Sequence, residues 1–241
     1  MQFLLLLLPF MFLWLPLAAD TALLKTRLGE AKTGDYIVIA QGKNYTLFHI
    51  NQSTPPYAIL EEITIPSVKA CSFVTTWKEW LANGAPQNTS WILYKLNLET
   101  GSIERYYSLT KQSYFTLAEG DSFLHTLLHL DLYPIPFDQR KKVGLEPRPH
   151  QPDLRKPWQP KMIFEGQEIQ GVPFNAYYAR WPDDGGPLSN KLIEIYLPEE
   201  SGKYPAYFPY WLQVRGILGP GKVRVIDSGQ NLRSPVSSAF L

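Results

Sequence analysis

At 241 residues, 45% apolar and 14% aromatic, the chain carries enough apolar surface for a sizeable core, which excludes a disordered protein. Its 23 Lys and Arg balance 22 Asp and Glu, so a net charge of +1 leaves no whole-molecule field to draw in nucleic acid or an anionic membrane. The one cysteine, Cys71, excludes an internal disulfide.

Residues 3–19, FLLLLLPFMFLWLPLAA, contain no charged or polar side chain and run into Asp20 and an ordinary polar sequence. This pattern predicts a signal peptide at 1–19 and an exported protein, periplasmic or secreted and not cytoplasmic. The n-region has no Lys or Arg, and Leu17 occupies the position where a small residue is usual, so an uncleaved anchor is the lesser alternative. In that case 3–19 is the only membrane contact, although the run falls just short of the ~18 apolar residues of a spanning helix and Pro9 and Pro16 interrupt it. The lack of a second cysteine to form a bridge favours a periplasm over the outside of a eukaryotic cell, against three N-x-S/T sequons at Asn44, Asn51 and Asn88.

Beyond the signal, Ala22 to Leu28 predicts a short helix. YIVIA and YTLFHI flank the turn Gln41-Gly42-Lys43-Asn44 as a hairpin, and Tyr57 to Ile65 supplies a third strand between proline breakers. Thr76 with Glu79 three residues on is a capping box for a helix whose Trp77, Trp80 and Leu81 share one face, and Asn83-Gly84 stops it. WILYKLNL and IERYYSL form a second hairpin, with Ile92, Tyr94, Leu96 and Leu98 on one face and Trp91, Leu93, Lys95 and Asn97 on the other. A second helix is expected over 122–131, capped by Asp121 or Ser122.

Seven prolines and six basic residues make 133–160 a basic strap that forbids long regular elements. Strands then resume as KMIFEG, QEIQGV, FNAYYARW and KLIEIYL, the last two joined at Asp184-Gly185. KYPAYFPYWLQVRGI and KVRVIDSG close the chain around Leu218-Gly219-Pro220-Gly221. Pro205 and Pro209 predict that 203–212 is an edge strand or bulged. The expected fold is α+β, mainly β: one domain over 20–241, a curved antiparallel sheet of consecutive hairpins approaching a half-barrel, with two or three short helices packed on it.

Catalytic motifs are scarce. Gly120-Asp121-Ser122 opens a helix as the nucleophile block of GDS-type esterases does, but no histidine follows His150, so the base that family places late in the chain is missing and a helix cap is expected instead. His125 and His129 stand four apart, without a third ligand at a recognisable spacing, as on the polar side of an amphipathic helix. His49 has no partner visible in sequence. Cys71 reads as a buried small hydrophobe, and Glu61-Glu62, Asp183-Asp184 and Glu199-Glu200 point to opposite faces of a strand.

The expectation is therefore an exported, non-enzymatic protein without catalytic residues, cofactor or metal. It binds an apolar small molecule or lipid, or another envelope protein, through Tyr207, Trp211, Trp181, Tyr178 and Trp91. Arg140, Lys141 and Lys142 are the basic docking candidates. By fold-level analogy, half-open barrels that carry lipids or lipoproteins across a periplasm have sheets apolar on both faces. The alternatives are a structural or assembly protein of the envelope with a solid core, and a hydrolase without a recognisable motif.

Overall fold

A computed structural model describes residues 19–116, 122–186, 188–200, 202–215 and 222–237. The expected signal up to residue 18, Gly120-Asp121 and the turn at 218–221 lie outside the described residues, as does the end of the tail. Helix α1 (Leu23–Gly29) leads into β1 (Tyr36–Gln41), β2 (Asn44–Thr54) and β3 (Tyr57–Pro66). Two short helices, α2 (Ser67–Phe73) and α3 (Trp77–Ala82), precede β4 (Ser90–Asn97), β5 (Ile103–Ser108) and β6 (Ser113–Phe115). After α4 (Phe123–Leu128) come β7 (Tyr133–Pro134), the hairpin β8 (Met162–Phe164) and β9 (Gln167–Ile169), then β10 (Phe174–Arg180), β11 (Leu192–Pro198), β12 (Trp211–Val214) and β13 (Lys222–Gly229).

Eleven strands form one antiparallel sheet in the order β6-β5-β4-β3-β2-β1-β13-β12-β11-β10-β7, and β8-β9 stands apart as a two-stranded sheet. The fold is thus mainly β, built of consecutive hairpins, and its edges β6 and β7 are not paired with each other, so no barrel closes. The proline strap does not divide this sheet. Strand β1 pairs with β13, which joins the meander before the strap to the meander after it.

The sheet is bent around α1. Six strand spacings separate β4 from β11, ~29 Å in a flat sheet. Yet Lys25 and Arg27, ~3 Å apart along the helix axis, reach both sides. The Lys25 Cδ lies 2.8 Å from where a Cβ on Gly101 of the β4–β5 turn would sit, while Arg27 donates to Pro198 O and Glu199 O at 3.2 and 3.1 Å. The inner face buries Ile37, Ile39, Phe48, Ile50, Leu60, Tyr94 and Ile195 under α1, α4 and residues 204–210. The outer face buries Tyr36, Val38, Leu47, Ile63 and Ile65 under α2, α3 and the tail through Leu232. A central sheet apolar on both faces is therefore covered on both by its own chain.

Thr76 caps α3, its Oγ1 accepting from Glu79 N at 3.1 Å. Ser122 caps α4, accepting from His125 N at 3.2 Å, and α4 ends at Leu128, three residues before Asp131. Helix α2, which no sequence signal announced, turns Ala70 inward and leaves Cys71, the next residue round, exposed; this corrects the expected burial of that thiol. The edge-strand expectation is also corrected. Strand β12 begins only at Trp211 and lies between β11 and β13, because both prolines fall in the irregular lead-in 204–210, where no ladder donor is lost.

Candidate functional site

A cleft of about 540 Å³ opens on the outer face between the α2–α3 excursion, the β8–β9 turn and the β1–β13 pair. Its aromatic walls are Tyr36, Tyr45 and Trp77; Cys71, Lys78, Glu165 and Asp227 are its polar side chains of interest. The volume falls within the range of small-molecule sites.

A bulge puts the acid there. Val38 pairs with Asp227 but Ile39 with Val225, so one step on β1 matches two on β13 and Ile226 is the extra residue. Ile226 and Asp227, neighbours in sequence, consequently both line the cleft, whereas a regular strand would send them to opposite faces. Asp227 is 7% exposed. Its Oδ1 accepts from Gly166 N at 3.0 Å and Ser228 N at 2.9 Å, while among the described residues Oδ2 has only the Tyr36 hydroxyl at 3.5 Å. Burial raises its carboxyl above the ordinary aspartate range, with a smaller push from the Glu165 charge, and burial likewise raises the Tyr36 phenol, reinforced by Asp227.

The rim is held by charge. Lys78 Nζ of α3 reaches Glu165 Oε1 at 2.7 Å across the opening, and that hydrogen bond lowers the Glu165 carboxyl. Glu165 and Gly166 carry φ of 49° and 77°, the two left-handed positions of a type I′ turn, and Glu165 N donates to Ser228 O at 2.7 Å. A non-glycine residue in that conformation is strained, and here it sets a carboxylate over the cleft. Trp77 packs edge-on to Tyr45 and to Trp80, with ring centroids 6.2 and 5.6 Å apart.

The aromatic residues picked from sequence do not meet here. Tyr207 and Trp181 are buried on the inner face, Tyr207 donating to Phe48 O at 2.9 Å and Trp181 to Asp184 Oδ2 at 2.7 Å. Trp91 is buried on the outer face, its indole N–H without an acceptor among the described residues. Tyr178 is half-buried and stacks on Tyr133 at 5.2 Å; Trp211 is half-buried under Trp158, 4.9 Å between centroids. The basic trio is tied internally: Arg140 donates to Ile135 O and Phe174 O, Lys141 lies over the Trp158 ring and Lys142 pairs with Asp153 at 2.9 Å. Sequence reasoning missed Asp227, because an acid at a strand end gives no signal until a bulge turns it.

His49 and His129 are engaged elsewhere. His129 faces His125 O and Thr100 O with its two ring nitrogens at 2.8 and 2.9 Å. His49 has the partner its sequence context hid, Glu61, directly opposite it on β3. Ser234 Oγ donates to Glu61 Oε1 at 2.7 Å and not to the imidazole, so serine and histidine there do not form a nucleophile–base pair. Among the described residues no group of three or more His, Cys, Asp or Glu is placed to hold a metal ion, and no helix is long and apolar enough to cross a membrane.

The family model for CT021 protein matches residues 46–170, just over half of the chain. The chain belongs to the CT021 protein family. The CT021-matched span runs from β2 through β9 and so includes the α2–α3 wall and the Glu165-Gly166 turn, while Tyr36, Tyr45 and Asp227 lie outside it. The 2.0 Å structure of the hypothetical protein CT021 from Chlamydia trachomatis is similar in fold, with a TM-score of 0.62 at 22% identity over 91% of this chain and 97% of that one. No curated protein matches the sequence.

Proposed function

We propose that this CT021-family protein is an exported, non-enzymatic binding protein whose ligand occupies the outer-face cleft. The observation that carries the proposal is a ligand-sized cavity of about 540 Å³ walled by Tyr36, Tyr45 and Trp77, with one buried acid at its floor. Export is supported by the run 3–19, which has no charged or polar side chain. The test is titration with the fluorescent apolar probe N-phenyl-1-naphthylamine. Binding should weaken at least tenfold in Trp77→Ala, or when the exposed Cys71 on the cleft wall is alkylated, and should be unchanged in Tyr178→Ala. Equal binding by wild type and Trp77→Ala overturns the proposal.

A second reading, a structural or assembly protein of the envelope whose strap joins copies of the chain, is favoured by Phe137, Val143, Leu145 and Leu154, large apolar side chains 66, 57, 93 and 86% exposed. It predicts that Leu145→Ser with Leu154→Ser lowers self-association in sedimentation velocity at high protein concentration. Identical profiles for both proteins would remove this support.

A further inference from the structure

The charge inventory of the cleft says what chemistry it admits. Of its ionisable lining residues, Lys78 and Glu165 neutralise each other at 2.7 Å at the rim. Asp227 is left at the floor with two backbone N–H groups and one distant tyrosine hydroxyl, and no cationic side chain pairs with it among the described residues. A buried carboxylate without a cation normally costs free energy, and here burial is the main cause of its raised affinity for protons. Around it stand two phenol rings and an indole, whose faces carry the negative end of the aromatic quadrupole. Every unbalanced electrostatic feature of the cavity therefore has the same sign.

We propose that the cleft takes an organic cation, an ammonium head attached to an apolar or aromatic body, with Asp227 as the counter-charge and Tyr36, Tyr45 and Trp77 as its aromatic surround. This rests on the reading of the cleft as the ligand site and adds the class of ligand. The less occupied Asp227 Oδ2 is the oxygen that faces the head, and Tyr36, which donates to that oxygen, fixes its direction. The apolar body lies against Trp77, Val74 and Ile226.

Two probes of the same shape separate the two ideas: phenyltrimethylammonium and its uncharged isostere tert-butylbenzene, each titrated calorimetrically into the full chain at neutral pH. The expected result is at least tenfold tighter binding of the cation, with the preference gone in Asp227→Asn, which keeps an oxygen for the backbone donors but no charge. Equal or tighter binding of tert-butylbenzene overturns the cation assignment and leaves the cleft standing. A preference that persists in Asp227→Asn overturns the role of Asp227. Binding of neither probe overturns both this inference and the cleft reading, and because that comparison uses the unmodified protein it does not depend on how the variant folds.

Discussion

His49 Nδ1 lies 2.8 Å from Glu61 Oε2, both side chains essentially inaccessible to water, at directly opposed positions on β2 and β3. The pair is the head of a clamp. His49 Nε2 faces Leu232 O at 3.1 Å, Glu61 Oε1 accepts from Ser234 Oγ, and Asn51 Nδ2, which also donates to Glu61 Oε1, donates to Val236 O, so three contacts tie the tail to the sheet. With both ring nitrogens and both carboxylate oxygens hydrogen-bonded, the buried pair is tolerated; with one member gone, a polar group is stranded. His49→Ala or Glu61→Leu should each destabilise by about 3–5 kcal/mol in urea titration, whereas Ser234→Ala should cost only about 1 kcal/mol. The double variant His49→Ala with Glu61→Leu should cost much less than the two singles combined, and additive losses would contradict a coupled pair.

Gly229 faces the ring of Tyr36 so closely that an added Cβ would fall 2.5–2.7 Å from Cε1, the hydroxyl oxygen and Cζ. No left-handed φ is involved, so the demand for glycine here is one of space. Gly229→Ala should destabilise by about 1–3 kcal/mol through overpacking, and Tyr36→Ala in the same chain should relieve most of that increment. Equal effects of Gly229→Ala in both backgrounds would show that the ring is not what it meets.

Much of this architecture was legible because hairpin turns and strand alternation are local signals. Asn83-Gly84, Asp184-Gly185 and the alternation of Ile92, Tyr94 and Leu96 each placed an element correctly. The β1–β13 pairing was not legible, since strands nearly two hundred residues apart announce nothing about each other. The cleft escaped for the same reason: its walls come from β1, β2, α2–α3, the β8–β9 turn and β13, and its acid is turned inward by a bulge visible only in the register. The run KYPAYFPYWL is dense in aromatics, but Tyr204, Tyr207, Phe208 and Tyr210 are inner-face core, where large rings bury the most apolar area per residue.

Glu62, the neighbour of Glu61, faces the inner side and accepts from the Tyr94 hydroxyl at 2.5 Å. Burial raises its carboxyl above the ordinary glutamate range, with the Tyr94 hydrogen bond opposing. A native acid with raised pKa binds its proton more tightly than the unfolded chain does. Its contribution is therefore fully present below the ordinary glutamate value and is lost as the pH rises through the raised one. Glu62→Gln keeps the oxygen for Tyr94 and removes the titration. The variant should gain stability relative to wild type as the pH is raised from 4 towards 8, along a slope no steeper than about 1.4 kcal/mol per pH unit. A difference that is flat with pH, or falls, would refute the assignment.

The strap earns its place in the fold through Trp158. This ring meets Trp211 at 4.9 Å and Tyr196 at 5.1 Å, both edge-on, and Trp158 N donates to Lys141 O at 2.6 Å, closing the base of a loop that Val143 N to Lys156 O continues. Trp211 is thus covered by a tryptophan from the proline-rich segment, which explains why an aromatic on a strand flanked by polar Gln213 and Arg224 is only partly exposed. Because Trp158 is itself half-buried, Trp158→Ala should cost about 2 kcal/mol, below the ~3–5 kcal/mol of a fully enclosed ring. The more diagnostic readout is local. Uncovering Trp211 should shift its emission to the red, and residues 141–158 should become the first site of limited proteolysis while the sheet stays protected. Cleavage that is no faster than in wild type would mean that the backbone bonds at Lys141 and Val143, and not the ring, hold the strap down.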